Sequence, residues 1–115
     1  MATKAKKRGF LVLIPADVSA PEVRTEFKGK APEYADLRKA VDGLIQPVSL
    51  FYQGRTRSAY VNEEGLLHGM RPNPRASRMW REWGQRTGHG GTDTLVGPAV
   101  IVLWEKVETA EGVAS

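Results

Sequence analysis

Leu95-Val-Gly-Pro-Ala-Val-Ile-Val-Leu-Trp104 is the stretch whose reading decides the fold. Its run of apolar, partly β-branched residues from Ala99 onward suits a strand in the middle of a sheet. Gly97-Pro98 marks a bulge at its start. Near the other end of the chain, Phe10-Leu-Val-Leu-Ile14 reads the same way, as a central strand buried on both faces and ended by Pro15. Two interior strands need others outside them. Glu22 to Lys28 alternates polar and apolar residues, the pattern of a half-exposed strand antiparallel to the first. Ile45 to Tyr52 is a further strand, with Pro47 arguing for an edge or a bulge. Gln53 to Arg57 turns the chain, and Ser58 to Asn62 returns. Asn62-Glu-Glu-Gly65 has the composition of a turn, after which Leu66, Leu67 and Met70 complete a third arm of the meander.

Two segments have helical periodicity. Pro32 suits a first helical turn, Tyr34, Leu37, Val41 and Leu44 form an apolar stripe, and Gly43 is the stop. Asn73 is placed to cap a second helix that opens on Pro74 and ends near Gly84 and Gly88. Ala76, Met79, Trp80 and Trp83 share its inward face, while Arg75, Arg78, Arg81 and Glu82 lie off it. The order β-β-α-β-β-β-α-β predicts an α+β domain: a largely antiparallel twisted sheet of about five or six strands, with two helices packed on one face. Residues 1–9 read as a basic flexible tail, 10–107 as one domain, and 108–115 as a flexible C-terminal tail.

A chain of 115 residues supports one modest core, and 41% apolar residues is ordinary for a soluble globule. With no cysteine, disulfides, thiolate metal sites and cysteine nucleophiles are excluded. The five apolar residues Phe10–Ile14 are too few for a signal sequence or a membrane span. The expectation is a cytoplasmic protein of a bacterial host with no membrane partner. The formal charge of +4 equals the contribution of Lys4, Lys6, Lys7 and Arg8, since the other 13 basic residues balance 13 acidic ones.

Within that neutral body the charge is segregated. Arg55, Arg57, Arg71, Arg75, Arg78, Arg81 and Arg86 fall in a window that contains no lysine and only Glu63, Glu64 and Glu82 against them. Guanidinium is planar and permanently charged, with donors in a fixed fork suited to phosphate or carboxylate. These seven arginines are the candidate anion- or partner-binding residues. Catalysis needs a nucleophile or base held by partners. The two histidines, His68 after a hairpin turn and His89 in a glycine loop, sit in no such arrangement. The chain therefore reads as non-enzymatic, with His89 kept as a mobile loop contact that can close over a ligand. No metal-ligand spacing and no P-loop are present, so no metal or cofactor is expected.

Several segments also carry a family resemblance. The N-terminal apolar strand ending in Pro15, Leu37-Arg-Lys-Ala-Val-Asp-Gly-Leu-Ile45, Val61-Asn-Glu-Glu-Gly-Leu-Leu-His-Gly-Met70 followed by Asn73 and Ala76, and Leu95 to Val102 occur in that order. In this the chain resembles the small phage and actinobacterial proteins grouped as domain of unknown function family 3846, over about residues 10–104. The Asn62–Gly65 segment with Gly69 and Asn73 is the most specific part, and Gly97 the next. The Arg and Trp content of the second helix lies outside that pattern. The resemblance implies a phage or mobile-element setting and carries no established activity. The expected function is that of an accessory protein binding a host macromolecule, a host protein first. The alternative is a nucleic-acid or small-nucleotide binding module that uses the Arg-rich helix face.

Overall fold

The computed structural model describes residues 5–89 and 93–108. Its elements are β1 (Ala5–Ile14), β2 (Val23–Phe27), α1 (Tyr34–Val41), β3 (Ile45–Tyr52), β4 (Arg55–Asn62), α2 (Pro74–Thr87) and β5 (Ala99–Glu108). The strands form one antiparallel sheet in the order β2-β1-β5-β4-β3. β5 is the central strand with β1 beside it, as the two apolar runs predict. β3, with Pro47, lies on an edge, where a residue without an N–H is tolerated.

Side chains alternate across the sheet, and each face has its own core. Val12, Ile14, Leu50, Ala59, Val61, Ala99, Ile101 and Leu103 are buried on one face, against Ala76, Met79 and Trp80 of α2. On the other, Leu11, Tyr60 and Val100 meet Leu37, Ala40 and Val41 of α1. The expectation of two helices on one face is therefore corrected: they lie on opposite faces. The physical reason is in β5 itself. Ala99, Val100 and Ile101 are all fully buried, and a strand apolar at consecutive positions needs cover on both sides.

Other boundaries also move. β1 starts at Ala5 and pairs with β5 from Ala5↔Glu108 to Ile14↔Ala99, so half of the segment expected as a flexible tail belongs to a long two-stranded ribbon. Residues 1–4 and 109–115, expected as tail, lie outside the described residues. Gln53 and Gly54 both have positive φ and form a two-residue hairpin turn. Arg55 and Arg57 consequently belong to β4 and not to a turn. The expected third meander arm is a series of turns over residues 63–69, and no sixth strand occurs among the described residues. α2 runs through Gly84, which is buried inside it, and is capped at Gly88.

The two halves of the sheet are joined narrowly. β4 pairs with β5 only at Ala59↔Ile101, Tyr60↔Val100 and Val61↔Ala99. Below this seam the strands diverge. The β2-β1-β5 half has its own aromatic lock, the Phe27 and Trp104 rings meeting edge to face at 5.0 Å. Gly9 makes this possible, because a Cβ there would collide with Phe27 Cζ.

Candidate functional site

Two buried asparagines organise the end of the sheet above the seam. Asn62 closes β4: its Nδ2 donates to the carbonyls of Val41 and Asp42, both at 3.0 Å, tying the strand to the end of α1. Its Oδ1 accepts from the Glu64 amide at 2.7 Å, which starts the turn. The Gly65 amide then donates to the Asn62 carbonyl, and the Met70 amide to that of Gly65. Asn73 is fully buried. Its Nδ2 donates to the carbonyls of Ile14 and Gly97 at 2.9 Å each, and its Oδ1 caps α2 by accepting from the Ala76 amide at 3.0 Å. Ser77, one turn later, exchanges hydrogen bonds with the backbone of Leu95.

These anchors lay residues 62–73 alongside 93–97. The Asn73 amide donates to the Leu95 carbonyl and the Gly97 amide to the Arg71 carbonyl. The two segments approach closely at glycines. A Cβ on Gly65 would stand 2.8 Å from Val96 Cγ2, and one on Gly97 2.6 Å from Met70 Sδ. The residues most specific to the family resemblance thus build one local structure, a double segment held on side-chain amides.

Between this double segment, β3, β4 and α2 lies a cleft of about 740 Å³. Val48, Val61, Leu66, Pro72, Trp80 and Val96 supply apolar walls, and Glu63 and Asp93 are the ionisable groups lining it. Asn62 also lines it, but its amide is committed to backbone partners. Leu66 at the mouth is 80% exposed and Leu67 beside it 78%, the two most exposed large apolar side chains among the described residues. The cleft is therefore apolar-walled, with two carboxylates in its lining. The sequence reading placed Leu66 and Leu67 in a strand and missed this cleft. The available signal was a pair of leucines directly after a turn, where no amphipathic pattern accounts for them.

The arginines do not form one patch. Arg75 is spent on structure: one Nη2 donates to the carbonyls of Pro15 and Asp17, at 2.7 and 2.9 Å, pinning α2 to the β1–β2 loop. The same loop holds the Asp17 carboxyl below its usual range, through hydrogen bonds from the Ser19 hydroxyl and amide, with Arg71 and Arg75 adding attraction. Arg86 lies 4.0 Å from the centre of the Phe51 ring and 3.3 Å from Glu82. Arg71 and Arg78 are exposed and Arg81 is half-buried. Arg55 and Arg57 sit on β4 and line a separate opening below the seam. Arg57 is fixed there by donating to the carbonyls of Tyr52 and Gln53.

The aromatic residues divide as well. Trp80 packs against the core, as expected, and also walls the cleft. Trp83 is half-buried and stacks on His89, with ring centres 5.4 Å apart and planes 9° from parallel. His89 Nδ1 is 3.1 Å from Thr87 Oγ1, while the Thr87 hydroxyl donates to the Trp83 carbonyl at 2.8 Å. His68 stands 3.5 Å from Glu64 on the exposed turn.

Fold and site together define a small α+β domain, an antiparallel sheet with one helix on each face and an apolar cleft at one end. The family model described as Domain of unknown function (DUF3846) matches residues 9–112, and the chain belongs to that family. No curated protein and no solved structure matches it. Among the described residues, no helix is long and apolar enough to cross a membrane.

Proposed function

We propose that this chain is a non-enzymatic binding protein whose cleft takes a segment of another protein, in the accessory role that a phage-type protein plays in its host's cytoplasm. The observation that carries this reading is Leu66, which lines an apolar cleft of about 740 Å³ yet is 80% exposed, with the equally exposed Leu67 next to it in the chain. Keeping such residues in water forgoes roughly 1.5–3 kcal/mol each that burial would return. Exposed apolar residues beside a concave site are the usual mark of an interaction surface. The carboxylates of Glu63 and Asp93 favour a partner segment whose apolar anchors are flanked by lysine or arginine.

The experiment is capture of partners from bacterial host lysate by the full chain, comparing wild type with Leu66→Asp, Leu67→Asp and Arg78→Ala/Arg81→Ala. Loss of the captured protein in the leucine variants, with retention in the arginine variant and at high salt, supports the reading. Retention of every partner by the Leu66→Asp variant, shown folded by circular dichroism, would refute it. The Arg-rich helix face is a weaker alternative, because Arg75 is committed to backbone carbonyls and Arg86 to Phe51 and Glu82.

A further inference from the structure

Trp80 and Asp93 line the apolar cleft and also a second, smaller opening of about 210 Å³, whose other walls are Trp83 and His89. Three of its four described walls are aromatic rings and the fourth is a carboxylate. Trp80 and Trp83 are three residues apart on α2, so their side chains share one side of the helix. Trp80 packs on the core, but Trp83 does not join it. Its neighbour is His89, stacked on the indole at 5.4 Å and 9° from parallel. The imidazole is steadied in turn by Thr87, whose Oγ1 is 3.1 Å from Nδ1.

The electrostatics of this opening have one sign. The faces of aromatic rings carry the negative part of their quadrupole and attract cations. Asp93 adds a full negative charge and pairs with no cation among the described residues. The opening also lies beside the last turn of α2, the end at which a helix is partially negative. Four arginines of α2 stand nearby, yet none lines it. Arg75 is turned to the β1–β2 loop and Arg86 to Phe51 and Glu82. No guanidinium or ammonium of the described residues lies over either indole. An anion is repelled from such a place, and an apolar group strips water from the carboxylate without replacing it. No metal site competes, since no cluster of three ligating side chains exists among the described residues.

From this geometry we infer that Trp80, Trp83, His89 and Asp93 form an aromatic cage for an alkylammonium group, and that this group is a lysine side chain of the protein segment seated in the apolar cleft. The donor of the lysine rests on the proposed role of that cleft, whereas the cage stands on its own four residues. The two openings share Trp80 and Asp93, so one segment reaches both, with an apolar residue in the larger and the lysine in the smaller. The lysine methylenes lie along the indoles while the ammonium meets Asp93.

The test titrates the full chain at pH 8 with N-acetyl-lysine methylamide and, separately, with N-acetyl-norleucine methylamide, which keeps the aliphatic chain but lacks the charge. The indole N–H signals are followed by NMR. The lysine probe shifts those of Trp80 and Trp83, while that of Trp104, packed on Phe27, stays in place. The norleucine probe binds about fivefold or more weakly. Asp93→Asn, a change at an exposed position, lowers affinity for the lysine probe about twofold to fivefold, and Trp83→Leu lowers it about fivefold. Leu66→Ser binds the lysine probe as wild type does, so failure of the apolar cleft as a partner site leaves this result standing. The cage is overturned if the two probes bind equally, if neither indole signal moves, or if Asp93→Asn binds as well as wild type. Choline bound a hundredfold more tightly than the lysine probe overturns the assignment to a protein side chain and makes the ligand a free quaternary ammonium compound.

Discussion

Replacing Asn73 by Ala is the sharpest test of how the upper end of the fold is held. The side chain is fully buried and makes three hydrogen bonds, all to backbone. Its removal takes away the helix cap, worth about 1 kcal/mol. It also leaves the Ile14 and Gly97 carbonyls without their donor, at roughly 1 kcal/mol each and more if water does not replace it. The expected loss is about 3 kcal/mol, a large part of the roughly 5–15 kcal/mol that a small domain has. Equilibrium urea unfolding at 25 °C, followed by far-ultraviolet circular dichroism, measures it. With m near 1–2 kcal/mol/M the midpoint falls by about 2 M. Asn73→Asp gives an independent check. It keeps the capping oxygen but turns a second oxygen toward two carbonyls in a buried site. Burial and the carbonyl dipoles raise the folded-state pKa of the introduced carboxyl above its unfolded value near 3.9. Between those two values the folded form holds more protons than the unfolded, so stability falls as pH rises. This variant is therefore nearest to wild type at low pH and loses ground toward neutrality. A loss under about 1 kcal/mol for Asn73→Ala, or a pH-independent deficit for Asn73→Asp, refutes the anchoring role.

Arg75→Ala should destabilise by about 1–3 kcal/mol through loss of its two carbonyl contacts, whereas exposed Arg78→Ala stays within about 0.5 kcal/mol; paired thermal melts separate the structural arginine from the free one. Gly9→Val forces the Phe27 ring off Trp104 at a cost of about 1–3 kcal/mol, and the double variant with Phe27→Ala should lose less than the sum of the singles. Equal and additive losses would show that the ring does not depend on that glycine. Burial, then the hydrogen bond to Glu22, pushes the Tyr52 hydroxyl up to about 12. An unfolded tyrosine ionises near 10, so the folded state keeps a proton that the unfolded state loses, and stability falls as pH rises from 10 toward 12. Subtracting the pH profile of Tyr52→Phe from that of wild type isolates the effect; coincident profiles would count against it.

The parts of the fold legible in the sequence are those fixed by local pattern. The apolar runs at Phe10–Ile14 and Ala99–Leu103 named the two interior strands, and Pro47 pointed to an edge or a bulge, of which the structure has the edge. Asn73 before Pro74 gave the helix cap that the structure contains. Helix placement was open to the same logic, since consecutive buried residues in β5 require two covers, but the element order alone does not say which face a crossover takes. The strand limits of β1 and β4 were hidden for a different reason. Lys6, Lys7, Arg8, Arg55 and Arg57 are polar, and their strand geometry comes from the ladder partner and the hairpin turn rather than from their own preference. The site failed to appear for the same reason. The Arg-only window suggested one patch by proximity in sequence, yet Arg75 and Arg86 are bound to neighbours, and Arg55 and Arg57 stand on β4, with Arg57 held by the carbonyls of its own hairpin turn.

The narrow seam between β4 and β5 separates two openings. Both openings border β4: Arg55 to Ser58 face the lower one, Val61 and Asn62 the upper one, and the three paired residues Ala59, Tyr60 and Val61 stand between. At the seam β4 is held from one side by α1 and from the other by the α2-side core, while β3 pairs with it along its whole length. Asn62 links the far end of β4 to the end of α1 and to the Glu64 turn, from which the chain runs on to Leu66. One buried amide therefore joins the seam strand, a helix end and the rim of the upper cleft, so the shape of that rim depends on how β4 is seated.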